Sequence, residues 1–150
     1  MPDTLPETPH DTVPNPPQLH YTQAPGIRLA HFEWHAQQRG QGPTLWLVHA
    51  TGFHGRVWDQ AVQLLPTQRH VIAIEQRCHG RSDAVPFDSW ARFGQDQVAQ
   101  IDACGMAQAG AIGVGHSMGA HALVQAAAQR PGAFSRLILI DPVMASPEAY

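Results

Sequence analysis

The chain has 150 residues, 43% of them apolar and 14% charged, with a formal net charge of −3 when the histidines are neutral. That is the composition of one globular domain with a core, not of a disordered or fibrous chain. The charge balance supplies no basic field, so neither nucleic acid nor an anionic membrane is expected as a partner.

Six of the thirteen prolines fall in the first seventeen residues, among Asp, Glu, Thr and Asn. A stretch so poor in backbone donors and apolar mass predicts a disordered tail over 1–19, with the folded domain at 20–150. A Pro-rich ligand for a recognition domain is the other use of such a segment, but no basic residue flanks its prolines in the way those ligands require. The N-terminus has no basic or apolar signal region, and no apolar run is long enough to span a bilayer. Cys78 and Cys104 show no disulfide framework, so a reducing, cytoplasmic setting is expected.

From His20 onward the pattern alternates between strand and helix. Ile27–Trp34 reads as a strand, followed by the turn residues Gly40-Gln41-Gly42-Pro43. Thr44–Val48 is a continuous apolar run, as expected of a strand buried on both faces. Trp58, Val62 and Leu65 have helical spacing and Pro66 closes that helix; His70–Ile74 is a second buried strand. Asp88 or Ser89 can cap a helix carrying Trp90, Phe93, Val98 and Ile101 on one face. Ala111–Val114 is a third buried strand, a small-residue helix runs to about Arg130, and Leu137–Ile140 is a fourth. The fold class predicted is α/β, a mostly parallel sheet with helices on both faces.

The chemistry centres on Gly115-His116-Ser117-Met118-Gly119 between a strand and a helix. G-x-S-x-G in that context is the pattern of a nucleophile elbow, in which the glycines allow close backbone approach and the serine sits on a strained turn. The competing reading is a tight turn whose serine merely caps the helix. In the elbow reading the Met118 N–H is free at a helix N-terminus and can stabilise an oxyanion. A second donor would come from His49-Ala50-Thr51-Gly52-Phe53, the loop after the first continuous apolar run.

These motifs together, with Arg56-Val57-Trp58 and with Gln76-Arg77-Cys78-His79-Gly80-Arg81-Ser82, resemble an α/β-hydrolase over residues 20 to about 145. The resemblance implies a serine hydrolase that cleaves an ester or related acyl bond in a small-molecule substrate, with no cofactor. Ser117 would be the nucleophile and Gly115 and Gly119 the elbow glycines. Met118 and Thr51 would provide the backbone oxyanion donors, with Phe53 as the alternative to Thr51. Two departures stand out: Glu75 replaces the family's usual Asp, and Cys78 replaces a glycine, which implies that this position does not demand positive φ or that the loop differs locally.

The resemblance also implies a fold truncated after about the sixth strand. The family order is Ser, then acid, then His, and the last histidine, His121, lies only four residues past Ser117. One helical turn on, its ring is expected to project away from the elbow. Asp141, at the end of the sixth strand, is the remaining candidate acid, though a plain strand-end residue before Pro142 explains it as well. The other histidines read as structural: His49 and His79 in loops, His31 and His35 on one strand face, with no zinc spacing and so no metal expected. The chain by itself is expected to be nearly inactive, either a non-catalytic fragment or one half of a two-chain assembly. Its sixth strand is expected to leave an apolar sheet edge open to self-association.

Overall fold

The computed structural model describes residues 13–143. The strands are β1 (Gln18–Ala24), β2 (Ile27–Trp34), β3 (Leu45–Val48), β4 (Val71–Ile74), β5 (Ala111–His116) and β6 (Phe134–Ile140). The helices are α1 (Asp59–Gln63), α2 (Ala91–Ala103) and α3 (Met118–Gln129). The six strands form one sheet in the order β1-β2-β4-β3-β5-β6. β4, β3, β5 and β6 run parallel, and β1 and β2 add an antiparallel hairpin on one side. The expected α/β class with a mostly parallel sheet is the architecture found.

Every continuous apolar run read from the sequence lies in the parallel part. Trp46, Val48, Ile72 and Ile74 are fully buried and pack with Ile101, Met106 and Leu123 from one side of the sheet. Phe32, Trp34, Leu47, Val62, Val71 and Ala73 form a second cluster. In β3 and β4 helices on both faces leave no solvent side, which is why these runs do not alternate; the run in β6 is exposed at Ile138, Leu139 and Ile140.

β1 is the element the sequence reading missed. Gln18 and Leu19, assigned by composition to the tail, begin it, while residues 1–12 of that tail lie outside the described residues. Pro25-Gly26 joins it to β2, with Gly26 at φ 74°, the left-handed backbone that such a tight turn takes from glycine. His35 leaves the strand and adopts a left-handed conformation (φ 53°), so it does not share the face of His31. The helix expected after Trp58 is short, a 3₁₀ turn at Gly55–Trp58 leading into the five residues of α1.

α2 begins where expected, with the Ser89 hydroxyl accepting from the Ala91 N–H at 3.1 Å. Its buried face carries Asp96, Gln97 and Gln100 as well as Phe93 and Ile101. Part of this polar face is met by partners, while Gln97 Nε2 and Gln100 Oε1 are buried without one among the described residues. Asp96 takes both the Nε and Nη2 of Arg77 (2.6 and 2.7 Å), and Gln100 donates to the Ala30 carbonyl at 3.0 Å. A buried bidentate pair of this kind ties α2 to the loop after β4. No helix among the described residues is long and apolar enough to cross a membrane.

Candidate active site

β5 delivers the chain to Ser117, and α3 begins at the next residue. Ser117 has φ 51° and ψ −118°, a region that side chains avoid and that costs on the order of 1–3 kcal/mol. Its hydroxyl makes no capping bond to the helix, so the capping role is not what holds a serine here. The turn is held from both ends: the Ser117 N–H donates to the Ile140 carbonyl at 2.9 Å, and the Ser117 carbonyl accepts from Ala120 and His121.

The flanking glycines are required by contact. A Cβ on Gly115 would lie 2.6 Å from the Ala120 Cα, and one on Gly119 would lie 2.5 Å from the carbonyl oxygens of both Val48 and His49. Backbone meets backbone on each side, so neither neighbour can yield as a side chain would. The same contact at Gly119 brings the start of α3 against the end of β3 and the loop that follows it.

That loop presents Thr51 beside Met118: the Thr51 hydroxyl lies 3.4 Å from the Met118 sulfur. Among the described residues no acceptor serves the Thr51 or the Met118 backbone N–H, whereas the Phe53 N–H is taken by the Ala50 carbonyl at 3.2 Å. Of the two loop amides considered from the sequence, only that of Thr51 is open. Thr51, Trp90, Met118, His121 and Val143 line a cavity of about 140 Å3 with mostly apolar walls. Trp90 stacks on Phe93 and lies near Phe87, with ring centroids 5.4 and 5.8 Å away. The sequence had suggested only a helix face for it.

The His121 ring, expected to project away from the elbow, borders this cavity with Thr51 and Met118. Both ring nitrogens are engaged: Nδ1 lies 3.1 Å from the Val143 carbonyl, which fits Nδ1–H as donor, and Nε2 lies 2.8 Å from Gln125 Nε2, which fits Nε2 as acceptor. Asp141 follows β6 at φ 43° and is exposed.

A network of side chains holds the loop after β3 to the loop after β4. His49 is fully buried, accepts from the Gln76 N–H at Nε2 (3.1 Å) and pairs through Nδ1 with the Ala50 carbonyl (2.8 Å). Desolvation by burial brings its pKa down to about 4, with nearby His79 and His54 adding to the drop and the Ala50 bond opposing it. It is therefore neutral at neutral pH and fixed as an Nδ1–H tautomer. Gln76 returns a bond to the His49 carbonyl at 2.7 Å, and the Gly52 N–H donates to His79 Nε2 at 3.1 Å.

Cys78 has φ 63°, so the expectation that this position does not demand positive φ fails: a cysteine stands in left-handed backbone. The bonds around it, Cys78 N–H to the Asp83 carbonyl and His79 N–H to the Gln76 carbonyl, hold it in that strained conformation. Among the described residues no group of three or more His, Cys, Asp or Glu side chains has the geometry to hold a metal ion.

Comparison with known proteins follows the same outline. The sequence profile described as "Alpha/beta hydrolase family" matches residues 47–150. A 2-(acetamidomethylene)succinate hydrolase of Mesorhizobium japonicum is 31% identical over 115 residues, covering 77% of this chain and 41% of that protein. The (E)-2-((N-methylformamido)methylene)succinate hydrolase of Acinetobacter baylyi is 26% identical over 117 residues, covering 77% of this chain and 42% of its own length. The crystal structure of a hydrolase from Pseudomonas aeruginosa PA01 superimposes with a TM-score of 0.72 at 26% identity, over 88% of this chain and 49% of that one. The chain thus spans about two-fifths of the length of these two curated relatives.

Proposed function

The chain belongs to the alpha/beta hydrolase family, and on that premise we propose that the whole protein is a serine hydrolase of ester or related acyl bonds, working through an acyl-enzyme on Ser117. The observation that carries the reading is a strained Ser117 at the start of α3, followed directly by the open amide of Met118, which lines one cavity with Thr51, the bearer of the second open amide. Strain of this kind persists where the surrounding structure over-determines it, and it exposes the hydroxyl at the helix start. Two preorganised N–H donors match the charge that develops on an attacked carbonyl oxygen. The apolar walls at Trp90, Met118 and Val143 suit the hydrocarbon part of an acyl substrate. The two curated relatives are named for substituted succinates; matched over two-fifths of their lengths, they support an acyl-bond hydrolase and not those particular compounds.

What the described residues lack is a base. No partner serves the Ser117 hydroxyl among them, and His121 has both nitrogens engaged. Loss of a general base costs on the order of 10⁶ in turnover, so these residues alone should be nearly inert. A fluorophosphonate with intact-mass readout tests both halves of the proposal. The expected result is no adduct on the chain alone, and a single Ser117 adduct when excess imidazole replaces the missing base. An adduct without imidazole would show a base within the chain; no adduct under either condition, on folded protein, would overturn the nucleophile assignment.

A second reading, a half-domain that associates, is favoured by β6. Ile138, Leu139 and Ile140 are 45%, 38% and 42% exposed in succession. Successive strand residues face opposite ways, so both faces of this edge are open. Dimers or larger species in light scattering, dispersed by Ile138→Lys, would support it; a monomer at all concentrations would not. Cytoplasmic residence belongs to the same proposal, supported by Cys78 and Cys104 being free thiols.

A further inference from the structure

Glu75 directly follows β4 and is completely buried, a charged residue at the end of the apolar run Val71–Ile74. Its carboxylate is shared. Oε1 accepts from the Gly55 N–H at 3.2 Å, and Oε2 accepts from the Arg81 N–H at 2.5 Å. Gly55 ends the loop that carries Thr51, and Arg81 lies in the loop that carries His79. One side chain therefore joins the loop after β3, which meets the start of α3, to the loop after β4. The Arg81 guanidinium (3.5 Å) and the His54 ring (3.9 Å) lie on the same Oε1 from the solvent side.

The surroundings are shaped to this carboxylate. A Cβ on Gly80 would fall 2.3 Å from the Glu75 carboxyl carbon, and one on Gly55 would fall 3.2 Å from Glu75 Cγ and 2.8 Å from Phe32. Two glycines thus leave the room that this longer acid needs. A buried carboxylate is costly unless its oxygens are satisfied, and an apolar residue would fill the space without that cost. What a carboxylate does that an apolar side chain cannot is fix two separate amides to one point.

We propose that Glu75 is a positioning residue: it holds the loop of residues 49–55, and with it the Thr51 N–H, in register with the Met118 N–H. The inference rests on the serine-hydrolase reading of that site. It adds to the His79 and Gln76 bonds an anchor at the far end of the same loop, so Thr51 sits in a segment pinned at His49, Gly52 and Gly55.

Glu75→Gln tests it, because a carboxamide offers one acceptor and turns an N–H towards the other amide. In the 150-residue chain, amide exchange at Gly55 and Arg81 should accelerate tenfold or more while Val71–Ile74 stay protected. The downfield amide proton shifts expected of bonds to a carboxylate should be lost at the same two residues. Gly80→Ala, whose Cβ displaces the carboxylate, should give the same local signature if Glu75→Gln does not fold. Imidazole-assisted phosphonylation of Ser117 should be at least tenfold slower in the variant. Exchange that rises uniformly through the sheet, or not at all, overturns the positioning role, as does an undiminished rate of labelling. If the unaltered chain is not labelled with imidazole present, it is the hydrolase reading that fails, and the exchange pattern, measured without any ligand, identifies that case.

Discussion

Gly119→Ala is the substitution for which the structure and helix propensity predict opposite signs. In the interior of an ordinary exposed helix, alanine for glycine stabilises by about 1 kcal/mol. Here the new Cβ would stand 2.5 Å from the carbonyl oxygens of Val48 and His49 and 2.8 Å from the Val48 carbonyl carbon. Favourable contact begins at about 3.5 Å, so the first turn of α3 must retreat from β3 by roughly 1 Å. Neither side gives way easily, because Val48, Ala120 and Leu123 are all fully buried. Overpacking of a tight core costs about 1–3 kcal/mol, and a clash against backbone belongs at the upper end. Set against the propensity gain, the expected net loss is about 2 kcal/mol, seen as a lower urea midpoint with an unchanged slope. For a chain of this size that is a fall in Tm of about 4–8 °C. A midpoint equal to or above that of the unaltered protein would refute the close packing of α3 on β3, and with it the geometry that brings Met118 beside Thr51.

Ser117→Gly should stabilise the fold by about 1 kcal/mol, since glycine adopts φ 51°, ψ −118° without a side-chain penalty; an unchanged or lower Tm would mean that the turn is not strained. Cys78→Gly should stabilise by a similar amount, about 1 kcal/mol, by relieving φ 63°, at the loss of a long contact from Sγ to the Val85 carbonyl at 3.4 Å. For pH, burial lowers both His49 and His31 to about 4. The unfolded chain therefore binds more protons than the folded one between about pH 4 and 6.5, and stability falls as pH drops through that window. The loss approaches at most about 3 kcal/mol per histidine. Urea midpoints measured from pH 7 to 4 should decline, with a shallower decline in His49→Gln; a flat profile would show that neither ring is held neutral.

How far the sequence reveals this depends on how local the determining forces are. The elbow is legible because its pattern lies within five residues, with strand, two glycines, serine and helix written side by side, although the contacts that hold it reach Val48, His49 and Ile140. The parallel strands are legible because burial on both faces leaves an uninterrupted apolar run. β1 is not, since it is held by pairing with β2, and its residues QLHYTQA are mostly polar, with no apolar run to mark a strand. The buried polar face of α2 is hidden for a different reason. Asp96 and Gln100 look like surface residues until Arg77 and the Ala30 carbonyl are seen opposite them, 19 and 70 residues away. For His121 helical geometry gives the direction of the side chain but not its partners, the Val143 carbonyl and Gln125.

The strain at Ser117 and the close packing around it are one feature. A residue held at positive φ relaxes unless its neighbours leave it nowhere to go. Here the N–H of Ser117 is committed to β6, its carbonyl to α3, and the two flanking glycines are pressed against backbone. The same contacts that prevent relaxation also fix the start of α3 against the loop bearing Thr51. A mutation that loosened the turn to recover the strain energy would separate the two open amides as well. Stability and the arrangement of the site are therefore opposed at this turn. That opposition gives Ser117→Gly and Gly119→Ala their diagnostic value as a pair: the first should gain stability and lose the nucleophile, while the second should lose stability and keep it.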